Sequence, residues 1–497
     1  MSPDQKRHIL AIDQGTTGSR AFVFDLRGRC VAKAYKEFKQ YYPKPGWVEH
    51  SPDEIWDSVE AVVRRAVASA RIDPRSIAAI GITNQRETTI VWDRATGKPL
   101  YRAIVWQDRR TADQCARPGL QRHLKTIRSS TGLRLDPYFS ATKLQWLLEH
   151  VPGLRAKAKA GKACFGTVDT WLIYNLTGRA VHATDLTNAS RTMLLNIRTK
   201  KWDERLLKIF DVPSGLLPEV FPSGHVFGHT RQIAGLAAGI PITAVMGDQQ
   251  AALYGQGCFA SGNVKNTYGT GCFMVLNTGQ RLRISRHGLL STIACDAFGH
   301  PVYALEGSVF IAGAVVQWLR DGLKAIPDSS STEKAIAAVK DTAGVYFVPA
   351  FVGLGAPYWD PHARGTITGL TQGTNVNHII RAAVESMAYQ TKDVFDLMAR
   401  ESGLKIRSLA VDGGACRNDF LMQFQADILS AAVVRPKMVD TTVSGAAHLA
   451  GVTAGLWRPK DLAAMRGVDR TFRPSMPGSQ VQEKYVGWQK AVQRTLL

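Results

Sequence analysis

The sequence has few cysteines, and none of them are paired in a motif. Seven cysteines are scattered along 497 residues, and no two of them form a Cys-x-x-Cys pair. An odd, dispersed set of this kind supports neither a disulfide framework nor a zinc site. We therefore expect the thiols to be reduced and mostly buried, where they act as small apolar residues.

Long apolar runs are also absent. A membrane-spanning helix needs roughly 20 consecutive apolar residues, whereas the longest candidate, Ile233 to Gly247, is interrupted by Pro241 and by several glycines. The stretch from Met1 to His8 is polar and does not resemble the apolar core of a secretion signal. These features predict a soluble, cytoplasmic protein that does not insert into a membrane.

Acidic residues are scarce relative to basic ones. The chain carries 41 Asp and Glu against 62 Lys and Arg, which gives a formal net charge of +21. This excess fits a nucleic-acid binder, a protein that attracts anionic substrates, or a basic solvated surface. The modest clusters Arg155 to Lys162 and Arg281 to His287 are not interleaved with aromatic residues as a single-strand binding platform would be. We expect a solvated surface and no nucleic-acid partner.

The two halves of the chain repeat one local pattern. His8 to Asp13 and Ser19 to Asp25 are apolar runs joined by a Gly/Thr loop, which predicts a β-hairpin. In the second half, Gly262 to Tyr268 leads through Gly269-Thr270-Gly271 into another apolar strand. A helical pattern from Ile379 to Ala399 then precedes a further strand and glycine turn. The repetition predicts an α/β protein with two related lobes and a cleft between them.

The length of the chain agrees with two lobes, because 497 residues are too many for a single compact core. The glycines of Gly255-Gln256-Gly257 could absorb a hinge rotation. We therefore predict a first lobe at residues 1–257 and a second at residues 258–497.

A helix start is predicted in the first lobe at Ser51-Pro52-Asp53-Glu54. Serine is a favoured N-cap, proline suits the first helical position, and a glutamate three residues after the cap completes a capping box. The apolar residues that follow recur at helical spacing.

The segment from Asp13 to Arg20, DQGTTGSR, is the strongest local signal. Glycines let the backbone approach a phosphate, and threonine hydroxyl and N–H groups donate hydrogen bonds to its oxygens. The segment joins two strands and lacks Gly-Lys-Ser/Thr, so it is not a Walker A loop. Asp13 is suited to hold Mg²⁺ through water and Arg20 to reach phosphates. Taken alone, the segment is equally well described as a glycine-rich turn with an Asx-capped Asp13.

Asp248 follows an apolar strand, Ile242 to Met246, and begins a helical run. A helix N-terminus stabilises a carboxylate as the anion, which suits a group that accepts a hydroxyl proton. The alternative is a plain N-cap aspartate.

Arg86 and Glu87 place a donor fork beside an acceptor in a loop between strands. Because every hydroxyl is both donor and acceptor, this pair suits polyol recognition, although a surface salt bridge is an equally good interpretation. Trp106, Tyr138 and Phe273 could be core aromatics or the apolar wall of a small polyol site.

Three motifs in order resemble those of the sugar kinase, actin and heat-shock chaperone superfamily. The hairpin from Asp13 resembles the first phosphate motif, Gly269-Thr270-Gly271 the second, and Asp412-Gly413-Gly414-Ala415 the adenosine motif. Over essentially its whole length the chain further resembles the glycerol kinases of the FGGY family of carbohydrate kinases. The matching stretches include GITNQRETTIVWD, DPYFSATKLQWLL, GDQQAALYGQ, KNTYGTGCF and GLGAPYWDPHARGTITGLTQGT.

The resemblance implies two ribonuclease-H-like lobes that close on ATP, Mg²⁺ and glycerol, and that phosphorylate glycerol to sn-glycerol 3-phosphate in glycerol catabolism. It implies Asp248 as general base and Asp13 near the metal. The residues implied to bind or flank glycerol are Arg86, Glu87, Trp106, Tyr138, Asp248, Gln249 and Phe273. Those implied to contact ATP are Thr16, Thr17, Ser19, Arg20, Thr270, Gly313, Gln317, Gly414 and Asn418. A homo-oligomer, either a dimer or a tetramer, is implied as well.

The chain departs from the family pattern at two places. Gly18 stands where many relatives carry serine, so one phosphate contact is expected to be lost. The stretch from Ala237 to Gly239 lacks the arginine through which some bacterial relatives bind a regulatory sugar bisphosphate. Two other activities stay open from the sequence: an FGGY kinase for a different polyol or sugar, and an actin-like or chaperone-like ATPase without a small acceptor.

Overall fold

The computed structural model describes residues 7–496. Most of the polar stretch from Met1 to His8, on which the absence of a secretion signal was predicted, lies outside the described residues. Within residues 7–496, no helix is both long enough and apolar enough to cross a membrane.

The elements of the first half surround one large sheet. Its strands are β1 (His8–Gln14), β2 (Gly18–Asp25), β3 (Cys30–Glu37), β4 (Glu49–His50), β5 (Ile77–Asn84), β6 (Ile90–Asp93), β7 (Ala103–Ile104), β8 (Ala163–Gly166), β9 (Ala183–Asp185), β10 (Leu195–Asn196), β11 (Lys201–Trp202), β12 (Glu219–Phe221) and β13 (Ile242–Gly247). Its α-helices are α1 (Pro52–Ala70), α2 (Ala112–Ala116), α3 (Pro118–Gln121), α4 (Leu124–Thr131), α5 (Ser140–His150), α6 (Leu154–Lys159), α7 (Val168–Leu176), α8 (Leu186–Ala189), α9 (Glu204–Ile209) and α10 (Asp248–Gly255). Short 3-10 helices lie at Pro74–Ser76 and Ser214–Leu216.

The second half contains a wider sheet. Its strands are β14 (Val264–Tyr268), β15 (Cys272–Gly279), β16 (Leu290–Cys295), β17 (Pro301–Val309), β18 (Tyr346–Val348), β19 (Thr366–Thr368), β20 (Ser408–Gly413), β21 (Ala432–Pro436) and β22 (Val468–Phe472). Its α-helices are α11 (Gly313–Asp321), α12 (Ser331–Ala337), α13 (Val376–Ser402), α14 (Asp419–Leu429), α15 (Thr441–Thr453), α16 (Leu462–Arg466) and α17 (Gly478–Thr495), and its 3-10 helices are Gly414–Arg417 and Pro459–Asp461.

The two large sheets have the same core topology. In the first, the order is β13-β5-β1-β2-β3, with β1 antiparallel to β2 and parallel to β5. In the second, the order is β16-β17-β15-β14-β20-β21-β22, with β14 antiparallel to β15 and parallel to β20. A central hairpin followed by parallel strands is the ribonuclease-H-like arrangement, so the predicted α/β fold of two related lobes is confirmed.

Helices cover both faces of the first sheet. Every residue of β5 is buried, because α1 and α7 pack near one face while α15 packs against the other. This double cover explains why β5 is almost continuously apolar instead of alternating. Although α15 belongs to the second half of the sequence, it contacts β1, β5 and β13 of the first sheet. The lobe boundary at Gly257 stays a prediction, and one helix beyond it packs on the first lobe.

Local sequence signals position the helix ends. The Ser51 side chain accepts a hydrogen bond from the backbone N–H of Glu54 at 3.3 Å, as the predicted N-cap requires. The Glu54 carboxylate instead accepts a hydrogen bond from the Tyr41 hydroxyl at 2.6 Å, so the reciprocal half of the predicted capping box is not made. The long helix α13 begins after Asn375, which caps it, and ends at Gly403, extending beyond the predicted pattern at both ends.

Helices α10 and α15 make the closest helix contact between the two halves. A Cβ atom added to Gly445 of α15 would overlap the carbonyl group of Ala251, and one added to Gly255 of α10 would overlap that of Thr441. Glycine at both positions therefore lets the two backbones touch. The same α10 carries Asp248 at its first residue, so this crossing sets the position of the candidate base.

We predict that Gly445→Ala separates α10 from α15 and destabilises the protein. A methyl group cannot fit against a backbone carbonyl, and overpacking of this kind costs about 1–3 kcal/mol in the free energy of unfolding. Urea unfolding monitored by circular dichroism measures the change.

Gly119→Ala is the matched control, because no atom lies within 4 Å of a Cβ atom added to that glycine of α3. A free energy of unfolding for Gly445→Ala equal to that of the control would contradict the close helix contact.

Candidate active site

The site lies where three parallel strands of the first sheet end together. In the strand register Gln14 of β1 is opposite Asn84 of β5, and Asn84 is opposite Gly247 of β13. Ligands of open α/β sheets bind at the carboxyl ends of the strands. This edge therefore gathers the loop after β1, the loop that carries Arg86 and the start of α10.

Arg86 is buried and reaches Asp248, not the protein surface. Its Nε atom lies 3.0 Å from Oδ1 of Asp248, and its side chain is 3% exposed. Gly247 makes this approach possible, since a Cβ atom there would lie 2.7 Å from the Arg86 side chain. The alternative of a surface salt bridge between Arg86 and Glu87 is thus wrong, because both side chains are buried and have other partners.

Five charged side chains form a continuous ion-pair network, in the order Asp248, Arg86, Glu306, Arg191 and Glu87. The Nη1 and Nη2 atoms of Arg86 lie 2.5 and 3.1 Å from the two carboxylate oxygens of Glu306. Arg191 donates from Nη2 to Glu306 at 3.1 Å and from Nε to Glu87 at 2.6 Å. Glu306 belongs to β17, so the network joins the two sheets.

Neither Glu306 nor Arg191 was predicted from the sequence. A usable signal was present, because each is a lone charged residue in an otherwise apolar or small-residue segment, ALEGS and NASRT. Charged residues are almost never fully buried unless they are paired. Their partners could not be identified from the sequence, because Glu306 lies 115 residues from Arg191 and 220 residues from Arg86 along the chain.

Burial and the two arginines have opposite effects on the pKa values of the two glutamates in the network. Burial by itself would raise the pKa of Glu306, but the guanidinium groups of Arg191 and Arg86 outweigh it and lower that pKa to about 2. For Glu87, burial prevails over the same two arginines and raises the pKa above its ordinary value. Glu306 is therefore ionised at any physiological pH and anchors both arginines.

Backbone geometry aims Glu87 into the site. Its φ angle is 62°, and the Thr88 N–H donates to the Arg86 carbonyl at 2.7 Å, which closes a three-residue turn around Glu87. A non-glycine residue in this left-handed turn is uncommon and strained. Strain of this kind is concentrated at ligand sites, where surrounding contacts enforce it.

Asp248 is the first residue of α10, with Gly247 as the N-cap, so the plain N-cap interpretation of Asp248 does not apply. The backbone N–H of Gln249 donates to its Oδ1 at 2.7 Å, and the Gln249 amide donates to its Oδ2 at 3.2 Å. The Gln249 side chain in turn accepts a hydrogen bond from the buried ammonium group of Lys265. One third of the Asp248 side chain remains exposed to the cleft.

Two of the three predicted aromatic residues lie in contact beside this network. The rings of Trp106 and Tyr138 meet edge to face at 5.7 Å, and the indole N–H of Trp106 donates to the Thr16 hydroxyl at 3.0 Å. Burial raises the pKa of Tyr138, so its hydroxyl stays protonated. Phe273 is half-buried in β15 of the other sheet, opposite Ser308 of β17.

A cavity of about 570 Å³ opens in the second half of the chain. It is lined by all five residues of that half that were predicted to contact ATP, together with apolar side chains that would suit an adenine base: Thr270, Gly313, Gln317, Gly414, Asn418, Val384, Met387 and Leu421. Its volume falls in the ordinary range of small-molecule sites. The structure thus brings these residues into one pocket.

The first-lobe residues predicted for ATP divide into two groups. Thr16 and Thr17 lie in the turn between β1 and β2, and Arg20 reaches across to Asp440, which precedes α15, at 3.4 Å. Ser19 differs, because its side chain is fully buried and its hydroxyl lies 2.7 Å from that of Ser58 in α1. Alternation along β2 points the Ser19 side chain into the core while Arg20 faces out, so the predicted side-chain contact of Ser19 with ATP is not supported.

The structure also explains why position 18 carries glycine and not serine. A Cβ atom at this position would lie 2.6 Å from the ring of Tyr35 and 2.7 Å from the carbonyl oxygen of Lys36. Tyr35 of the neighbouring strand therefore occupies the space that a serine side chain would need.

Asp13 is a buried carboxylate that makes no hydrogen bond to a cationic side chain within the described part of the chain. Burial raises its pKa to about 6; Arg20 opposes the rise, and Asp248 and Asp440 add to it. Among residues 7–496, no group of three or more His, Cys, Asp or Glu is arranged to hold a metal ion. Asp13, with Asp248 and Asp440 as acidic neighbours, fits a site in which Mg²⁺ is held mainly by phosphates and water. That arrangement is usual in nucleotide sites.

Comparison with known proteins gives consistent matches. Residues 8–255 match the N-terminal domain of the FGGY family of carbohydrate kinases, and residues 264–454 match the C-terminal domain of that family. The chain is 55% identical to glycerol kinase 2 of Thermotoga maritima over 492 residues, which cover 99% of each chain. It is 56% identical to the glycerol kinase of Shewanella sp. strain MR-4, again over 99% of each chain.

A solved structure gives the same result in three dimensions. The crystal structure of Plasmodium falciparum glycerol kinase with ADP superposes with a TM-score of 0.93 at 38% sequence identity. The match covers 99% of this chain and 98% of that one.

We predict that Asp13→Asn stabilises the protein at neutral pH while weakening Mg²⁺–nucleotide binding. Because the folded-state pKa of about 6 exceeds the ordinary value of 3.8, the folded protein binds this proton more tightly, and stability falls as pH rises through that interval. Removing the charge should restore up to about 3 kcal/mol at pH 8 and nothing at pH 3.5. Urea unfolding at both pH values and calorimetric titration with Mg²⁺–ADP measure the two effects.

Asp396→Asn serves as control, because that carboxylate is exposed and pairs with Lys392 on the surface of α13. An Asp13→Asn protein that is less stable than wild type at pH 8, or that binds Mg²⁺–ADP as tightly, would count against the role given to Asp13.

Proposed function

Since the chain belongs to the glycerol kinases of the FGGY family of carbohydrate kinases, we propose that it transfers the γ-phosphoryl group of ATP to a terminal hydroxyl of glycerol. The product is sn-glycerol 3-phosphate. The family resemblance predicted from the motifs is confirmed by matches over the whole chain. One observation carries the proposal: Asp248, which is one-third exposed, lies 3.0 Å from the Arg86 guanidinium at the carboxyl ends of the strands of the first sheet.

In the proposed reaction Asp248 is the general base. The Gln249 N–H and the Arg86 guanidinium both contact Oδ1, whereas Oδ2 has only the longer contact of 3.2 Å with the Gln249 amide, so the proton from glycerol goes to Oδ2. Phosphoryl transfer makes modest demands on covalent chemistry, and orientation of the hydroxyl in line with the γ-phosphorus supplies most of the acceleration.

Glycerol recognition is assigned to groups that the ion-pair network orients. Glu87 uses its Oε1 atom for Arg191. Within the described residues no donor is bonded to its Oε2, which is free to accept a substrate hydroxyl. Arg86 donates to a second hydroxyl, and Trp106, Tyr138 and Phe273 enclose the carbon atoms. A site with paired donors and acceptors suits a compact triol better than a hydrophobic pocket would.

ATP is proposed to bridge the two lobes. Its base would occupy the cavity lined by Gln317 and Asn418, and its phosphates would extend past Thr270 to the turn at Thr16 and Thr17. Arg20 would contribute positive charge from the first lobe. When bound, Mg²⁺ would neutralise phosphate charge, and Asp13 would help to hold it through water. Binding to both lobes favours the closed arrangement, which excludes water as a competing acceptor.

The proposal also includes a location and an assembly state. A reaction that consumes ATP belongs with the cytoplasmic ATP pool, so we propose a cytoplasmic location. The homo-oligomer implied by the family resemblance also stays a prediction, and sedimentation velocity on the purified protein measures it.

The proposed activity predicts glycerol-dependent ADP release that nearly disappears with propane-1,3-diol. That analogue lacks the central hydroxyl, which leaves a buried partner in the site without its hydrogen bond. Sites built around a hydroxyl discriminate by up to about 10⁴–10⁵-fold in kcat/KM. A coupled ADP-release assay, run with glycerol, with propane-1,3-diol and without acceptor, measures the difference.

Two results would argue against the proposal. Equal kcat/KM for the two acceptors would exclude the polyol site described above. Rapid ADP release without any acceptor would instead favour an ATPase of the actin or chaperone type, and a xylulose and gluconate arm in the same assay tests for another sugar substrate.

We predict that Asp248→Asn lowers kcat by about 10²–10⁴-fold, which is the usual contribution of a general base. Affinity for Mg²⁺–ADP should change little, because Asp248 is assigned to the acceptor hydroxyl and not to the phosphates. Steady-state kinetics and calorimetric titration measure the two quantities.

Asp53→Asn is the matched control, since it removes a carboxylate from the first turn of another helix, α1. An Asp248→Asn enzyme with a kcat close to that of the control would end the assignment of Asp248 as the base.

A further inference from the structure

Glu306 connects the second lobe to a site built mainly from first-lobe residues. It lies in β17, and its two carboxylate oxygens contact Arg86 and Arg191, which belong to the first half of the chain. The side chain is fully buried, so Glu306 has no access to solvent. Both arginines contact residues already assigned to the reaction: Arg86 contacts Asp248, and Arg191 contacts Glu87.

We propose that Glu306 is a positioning residue for glycerol, which fixes the two guanidinium groups and thereby determines which hydroxyl of glycerol faces Asp248. The inference rests on the proposed function, because it concerns how that site binds its acceptor. Glu306 does not touch the substrate itself. Its effect passes through Arg86 on one side and through Arg191 and Glu87 on the other.

The geometry restricts both arginines to one orientation. Glu306 holds Arg86 through both terminal nitrogens, which fixes the plane of the guanidinium group as well as its position. With that plane fixed, the Nε atom of Arg86 lies 3.0 Å from Oδ1 of Asp248. A guanidinium group without this anchor would be free to turn toward Asp248 with two nitrogens and to compete with the substrate for the base.

Arg191 extends the same constraint to the aromatic wall. Its guanidinium carbon lies 5.6 Å from the ring centre of Tyr138 and 5.2 Å from that of Phe139. Its Nη1 atom is buried with no hydrogen-bond partner among the described residues, so the rings provide its contact on that side. Arg191 therefore places Glu87 and Tyr138 relative to Glu306, because all three contact its guanidinium group.

Stability alone is a poor explanation for these buried charges. Removing the charges of Glu306, Arg86 and Arg191 from water has a large desolvation cost. Apolar replacements of buried ion pairs are frequently neutral or stabilising. Losing only Glu306 has a different effect, because two guanidinium groups would then face each other without an anion between them. Like charges at this distance repel, so each guanidinium group would raise the cost of charging the other.

The stereochemistry of the product reports on how glycerol is oriented in the site. Glycerol has two equivalent terminal hydroxyls, which become distinct only when the site fixes the orientation of the molecule. A loosened Arg86 and Glu87 would let glycerol bind in both orientations, so part of the product would be sn-glycerol 1-phosphate. A purely structural defect would lower the amount of active enzyme without altering the product ratio.

The test compares Glu306→Gln with wild type. We expect the KM for glycerol to rise about 10- to 100-fold, as for other residues that orient ligand-binding groups, with the KM for ATP changed less than about threefold. Product stereochemistry is measured by the fraction of phosphorylated glycerol that an sn-glycerol-3-phosphate-specific dehydrogenase oxidises. That fraction should be complete for wild type and incomplete for the variant.

Glu385→Gln is the matched control. Glu385 is likewise a buried glutamate of the second lobe paired with an arginine, Arg381, at 2.9 Å, but it lies on α13 away from the polyol site. It should leave the glycerol KM and the product ratio unchanged. If Glu306→Gln does not fold, Arg191→Lys replaces it, since one ammonium group cannot hold both carboxylates, and a smaller rise in glycerol KM is expected.

The outcomes separate this inference from the proposed function. If wild type does not phosphorylate glycerol, the proposed function fails and the inference fails with it. If wild type is active, then a folded Glu306→Gln, or Arg191→Lys in its place, with wild-type glycerol KM and a single product overturns the inference alone. Equal rises in the KM for glycerol and for ATP also overturn it, because they indicate a general structural defect.

Discussion

One buried carboxylate, Glu306, lies between two arginines at the junction of the two sheets, and the arrangement of the cleft depends on it. The two arginines lower the pKa of Glu306 to about 2, so the anion is permanent. Through Arg86 and Arg191 its charge fixes groups on both sides of the polyol site. The other residues of the proposed polyol site, Asp248, Glu87 and Tyr138, contact these two arginines.

The position of Asp248, the proposed base, depends on a second constraint, the contact between α10 and α15. Two glycines allow these helix backbones to touch. Since α10 begins with Asp248 and α15 follows Asp440, whose carboxylate contacts Arg20, the crossing links the proposed base to the hairpin of β1 and β2.

Several features of the cleft lower the stability of the free protein and are explained by ligand binding. Asp13 is buried although its pKa is raised to about 6, and Glu87 has a left-handed backbone. Both features are unfavourable in the free protein. A bound cation would stabilise the buried Asp13 carboxylate, and a substrate hydroxyl would bind the Glu87 carboxylate that the left-handed backbone orients. The basic surface acts in the same direction, because a net charge of +21 attracts an anionic nucleotide from a distance.

The sequence by itself determined the two α/β lobes, the hairpin turns and the family, because these depend on local periodicity, turn residues and motif order. It also identified the five second-lobe residues that line one cavity. Tertiary structure alone decided the partners of Arg86, the inward orientation of Ser19 and the contribution of Glu306. Ion pairs between residues 115 to 220 positions apart leave no periodic trace in a sequence, since only folding brings their strands together.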